Sequence, residues 1–170
     1  KDITKRIEAE KIVYAQKEEI NNMLNNVIPE RIVSDLQGGN DRIAFGVHST
    51  TIGEIKVSAS KLFSFSTREP HEFYHKVYRI FDDIIAKYQG LCKIRTFAHN
   101  YTFAGGLFMD VNKPEKHAEE VVRFSLEIIN QLESISLQCG TEVSVYISVH
   151  TGGPVVAGVM SINMPTFIVL

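Results

Sequence analysis

Tryptophan is absent from these 170 residues, cysteine occurs only twice and proline only five times. No apolar run approaches the roughly 20 residues needed to cross a bilayer; the longest are Val155–Met160 and Phe167–Leu170. Each scarcity removes a class of answer. Cys92 and Cys139 stand far apart without a CxxC pairing, which leaves no zinc-finger framework and no disulfide scaffold, and two ordinary buried thiols suit a reducing compartment. Charge is short of one sign as well: 18 Lys and Arg against 20 Asp and Glu give a formal net charge of -2, without the basic surface that phosphate contacts with nucleic acid require. What remains, 44% hydrophobic and 22% charged residues, fits one soluble globular domain with a real core. The chain opens on Lys1 and ends inside an apolar run, so it reads as a cytoplasmic segment of a longer protein, compatible with a membrane-bound parent.

Taken in order, residues 1–28 read as a helical stalk. Ala9, Val13, Gln16, Ile20, Met23 and Val27 recur at alternating intervals of four and three, a coiled-coil seam with one polar member. Pro29 suits the first turn of a new helix, Glu30–Leu36, which Gly38-Gly39 ends. After a polar loop, Ile55, Val57 and Ala59 alternate with Lys56, Ser58 and Ser60, the period of a half-buried strand. From Pro70 a helix carries Phe73, Val77, Ile80, Phe81, Ile84, Ile85 and Tyr88 on one stripe, with Gly90 beyond its end. Leu91–Phe97 and Tyr101–Leu107 then form a hairpin broken at Ala98-His99-Asn100. A second helix is expected to face inward with Ala118, Val121, Val122, Ser125, Ile129 and Leu132, before a strand through Val143, Val145, Ile147 and Val149. Strand, helix, strand, strand, helix, strand is the split βαβ arrangement of ferredoxin-like α+β folds, an antiparallel sheet with both helices on one face. The other face needs a cover, which a partner subunit would supply.

One literal motif stands apart. His71-Glu72-Phe73-Tyr74-His75 spells HExxH, whose histidines can hold zinc while the glutamate acts as general base. Its context argues against a zinc hydrolase. The string opens a helix directly after Pro70, Phe73 lies on the packing stripe, and a third ligand would have to come from His99 or His117, at no known spacing. His48, His117 and His150 are expected at the surface or in turns.

Five blocks in order resemble the catalytic domain of the class III adenylyl and guanylyl cyclases. They are Leu24–Glu30, Phe63–Ser66, Lys93–Leu107, His117-Ala118, and Val149–Val159 with its Gly152-Gly153-Pro154 turn. The resemblance covers residues 29–170, behind a coiled-coil signalling helix over residues 1–28, and implies the nucleotide-cyclase version of the ferredoxin-like fold. It also implies a homodimer or heterodimer with sites at the subunit interface. There two aspartates would hold magnesium or manganese ions on a nucleoside triphosphate, so that the attacking 3′-hydroxyl is activated and the leaving pyrophosphate neutralised.

Carried over residue by residue, the aspartate positions fall on Lys61 and His99, so the resemblance assigns no metal ligand pair here. Two unit charges 4 Å apart are worth roughly 4 kcal/mol at an effective dielectric of about 20, and an ammonium would repel a divalent ion by more. One neutral imidazole cannot replace two bridging carboxylates for a hard ion. The base-reading positions fall on Arg95, which can still hydrogen-bond a purine, and on Ile168, which cannot. The family's subsequent asparagine and arginine fall beyond Leu170, so the domain is expected to be cut short at its C-terminal end. The expectation is therefore a cyclase-homology module impaired in catalysis on its own, serving as a dimerising, regulatory or nucleotide-sensing half, with Lys61 standing in for a metal charge. An active cyclase when paired with a competent partner is the alternative.

Overall fold

The computed structural model describes residue 7 and residues 10–18, 28–39, 43–59, 68–109, 111–160 and 166–170. Residues 10–18 are helical, followed by α1 (Glu30–Gln37), β1 (Ala44–Val47), β2 (Thr50–Ala59), α2 (Arg68–Ile85), β3 (Leu91–Phe97), β4 (Asn100–Gly105), α3 (Pro114–Asn130), α4 (Leu132–Cys139), β5 (Val143–Gly152), β6 (Val155–Met160) and β7 (Thr166–Val169). Two compact units emerge, one drawn from Lys1–Ala44 and Gly158–Ile168, the other from Phe45–Ala157 and Val169–Leu170.

In the first unit, Pro29 occupies the N-cap position of α1 and Gly38 its C-cap, followed by Gly39 at φ 82°. Ile28, Ile32, Val33, Ile43 and Phe167 are buried. Of the expected coiled-coil seam, Val13 is helical and 62% exposed and Gln16 is helical and exposed, while Ala9, Ile20, Met23 and Val27 lie outside the described residues. The chain also has a three-stranded sheet with the order β1-β6-β7, which is not confined to this unit.

The second unit is built on an antiparallel sheet ordered β3-β4-β2-β5. With α2 between β2 and β3, and α3 and α4 between β4 and β5, this is the ferredoxin-like α+β plan. One sheet face packs on the helices. Ile55 and Val57 of β2 and Tyr101 and Phe103 of β4 share a core with Val77 and Phe81 of α2, Val121, Phe124 and Ile128 of α3, and Ile135 of α4. Edge-on ring contacts join Phe103 to Phe124 at 4.7 Å and Phe81 to Tyr101 at 5.4 Å. Gly53 admits the Phe103 ring, which a Cβ at that position would strike.

Several elements depart from the sequence reading. Strand β2 starts at Thr50, inside the expected polar loop, because its threonines are satisfied in the interior: Thr50 Oγ1 donates to the Gly105 carbonyl at 2.8 Å. The inward face of α3 consists of His117, Val121, Phe124, Ser125 and Ile128. Val122 and Ile129, expected inside, are each 46% exposed. This helix has apolar residues on two sides, and the larger Phe124 settles which side faces the sheet. Leu132 opens α4, an element absent from the sequence reading, which Gly140 ends at φ 68°. His117 is fully buried, contrary to its expected surface position; His48 and His150 are exposed.

Candidate functional site

The hairpin of β3 and β4 is braced from α2. Tyr101 Oη donates to Asp82 Oδ1 at 2.7 Å, Lys93 Nζ donates to Asp82 Oδ2 at 2.8 Å, and the ammonium sits 5.4 Å from the Tyr101 ring centre. Burial, then the Asp82 carboxylate, pushes the Tyr101 hydroxyl far above the ordinary phenol range, so it stays a donor. At the tip, Tyr78 Oη donates to the Ala98 carbonyl at 2.9 Å and Val57 N–H donates to the His99 carbonyl at 2.8 Å. Ala98 takes φ 51°, a left-handed conformation that a side chain rarely adopts outside tight turns.

A bulge between Lys93 and Arg95 decides what the hairpin presents. Lys93 pairs with Phe103 on the helix side, and an unbroken ladder would set Arg95 opposite Tyr101 on that same side. The extra residue instead pairs Arg95 with Thr102, on the face away from the helices. Arg95 there continues a row through Thr102, Glu54 and Ser148. The next row runs Phe97, Asn100, Lys56 and Tyr146, with Phe97 75% and Tyr146 69% exposed. The bulge places a guanidinium with five donors on an open sheet face.

Of the other sequence-derived positions, His99 lies half-buried in the turn on the same hairpin as Arg95. Lys61 lies outside the described residues. Ile168 is half-buried in β7, in the other unit. His71, Glu72 and His75 are exposed on the first turns of α2, and no three His, Cys, Asp or Glu gather to hold a metal among the described residues. Both cysteines are free and half-buried. Burial pushes the Cys92 thiol up to about 12 and raises Cys139 as well, so neither is an activated nucleophile.

Sequence reasoning missed a polar junction where β2 begins, β4 ends and α3 starts. His117 Nδ1 lies 2.7 Å from Thr51 Oγ1, which lies 2.8 Å from Thr151 Oγ1 on β5. Asn112 Nδ2 donates to the carbonyls of Ser49 at 2.6 Å and Gly106 at 2.9 Å. Gly106, at φ 92°, leaves the space that the His117 ring fills. Burial lowers the His117 pKa, against the opposing charges of Glu115 and Glu120, so the ring is held neutral. The signal was present: His117 precedes Val121, Phe124, Ser125 and Ile128 by 4, 7, 8 and 11 residues, the spacing of a single helix face.

The model of the adenylate and guanylate cyclase catalytic domain matches residues 47–170. Retinal guanylyl cyclase 2 of Rattus norvegicus is 29% identical over 161 residues, covering 89% of this chain and 14% of that protein. The chain thus spans about a seventh of that relative's length. Two solved structures share the fold. A bacterial light-regulated adenylyl cyclase has a TM-score of 0.70 at 17% identity, covering 96% of this chain and 48% of its own. A dimeric guanylyl cyclase domain of the RhoGC fusion protein from Blastocladiella emersonii has a TM-score of 0.65 at 24% identity, covering 76% of this chain and 70% of its own. With the match spanning most of the sequence, on the sheet order described above, this chain belongs to the adenylate and guanylate cyclase catalytic domain family.

Proposed function

We propose that this domain works as the dimerising and nucleotide-sensing half of a cyclase assembly and makes no cyclic nucleotide on its own. The donor set carries the reading. His99 occupies the turn where the family places its second metal carboxylate, with its backbone carbonyl held by Val57 and the adjoining Ala98 carbonyl held by Tyr78. The other aspartate position carries the cation Lys61. Magnesium and manganese take oxygen ligands, a set that one imidazole and one ammonium do not supply.

What persists is a surface for association and a group for recognition. Phe97 and Tyr146 give the open sheet face two exposed aromatic anchors of the kind that concentrate binding energy at interfaces. Arg95, turned onto that face by the bulge, can hydrogen-bond a purine or a phosphate oxygen. The assembly takes the form of a homodimer or of a heterodimer with another cyclase-homology domain. Residues 1–28, of which 10–18 are helical, serve as the stalk that brings the copies together, and residues 29–170 as the associating domain. The chain spans about a seventh of a relative's length, and its place is the cytoplasmic part of a larger chain.

The test incubates the purified chain with manganese and either ATP or GTP. The expected result is no cyclic AMP or cyclic GMP above the blank, together with saturable binding of a labelled nucleoside triphosphate that weakens in Arg95→Ala. Cyclic nucleotide formed by the chain alone sinks the proposal. Formation only after mixing with a competent cyclase domain identifies the regulatory-half form.

A further inference from the structure

The HExxH string on α2 sets two histidines side by side at the surface. Phe73, Val77 and Phe81 face the core at 7%, 0% and 0% exposure, so the helix turns His71 and His75 outward together. The two rings are parallel within 3°, with centroids 6.4 Å apart. They line a cleft of about 460 Å³ with Glu72 and Lys76. Among the described residues neither ring has a hydrogen-bond partner, which leaves their nitrogens available as ligands.

We propose that His71 and His75 form a two-imidazole site for a borderline divalent transition ion such as zinc or nickel, with water completing the coordination. Histidines four apart on a helix share one face, and neutral imidazole suits these ions but not magnesium or calcium. Metal–nitrogen bonds of roughly 2.0–2.1 Å bring two ligating rings to centroids about 5 Å apart. Both rings are exposed, so they close from 6.4 Å by side-chain rotation. Lys76 opposes the ion electrostatically, and its long stem lets the ammonium swing to water. The clamped turn includes Tyr74, stacked 5.8 Å from Tyr78, whose hydroxyl holds the hairpin tip at Ala98. The ion therefore stiffens the brace behind the tip.

The test titrates zinc and, separately, nickel into the metal-free chain at pH 7.5 against a chromophoric chelator. One ion per chain is expected, with affinity at least tenfold weaker in His71→Asn and in His75→Asn, unchanged in His48→Asn, and tighter in Lys76→Gln. The ion also raises the thermal midpoint of the parent chain but not of either variant. Binding that survives in the double His71→Asn/His75→Asn variant overturns the assignment. So does parent-chain binding no tighter than that of the double variant, which is adventitious uptake only.

Discussion

The two faces of the β3-β4-β2-β5 sheet are made by the same strands and differ in almost every other respect. Toward the helices, Ile55, Val57, Tyr101 and Phe103 are at most 1% exposed. Away from them, Lys56, Arg95, Tyr146 and Ser148 are exposed. The first face holds the fold together by area removed from water, about 25 cal/mol per Å². The second contributes little to the isolated unit, so its side chains are free to be charged, aromatic or altered. Outward-facing residues of this sheet can thus change while the architecture is kept, because the core side chains occupy the opposite face.

The largest break in this comparison is expected from Phe103→Ala, which empties the space between Gly53 and Phe124. Denaturant unfolding should show a loss of about 3–5 kcal/mol. Asp82→Ala comes next. It strands the buried Tyr101 hydroxyl and the Lys93 ammonium, for a loss of about 1–3 kcal/mol by the same measurement.

The buried histidine gives a pH test. Its folded pKa lies below the unfolded value of 6.5, so the unfolded chain binds more protons below that value. The stabilisation is fully present above about pH 6.5 and is lost as pH falls, at up to about 1.4 kcal/mol per unit until the folded pKa is reached. His117→Asn should flatten the stability profile between pH 7.5 and 5.5; an unchanged slope would assign it to other groups.

On the open face, Tyr146→Ser and Phe97→Ser should move monomer stability by no more than about 0.5 kcal/mol, yet weaken self-association or pairing in analytical ultracentrifugation by tenfold or more. If both stability and association are unmoved, the open face is not the interface.

The hairpin was legible because Leu91–Phe97 and the run from Tyr101 are dense in strand-forming residues around a short break. The α2 stripe was legible because a single apolar face runs through it. The α3 phase was not, since Val122 and Ile129 match a helical face as well as Phe124 and Ile128 do, and only contact with the sheet distinguishes them. At the candidate site, Arg95 was identified by resemblance, but its outward turn depends on a bulge that leaves no mark in the residue string. His117 was misplaced because a polar residue reads as exposed until its partner Thr51, 66 residues away and itself bonded to Thr151 across 100 residues, is brought to it.

By itself, then, the sequence determined the succession of the main helices and of strands β2 to β5, and the family, since these rest on local periodicity and on ordered blocks of residues. Tertiary structure alone decided which face of α3 is buried, that Arg95 points away from the helices, and that His117 is held neutral in a polar junction. Each of those depends on pairing between distant segments, which no local pattern encodes.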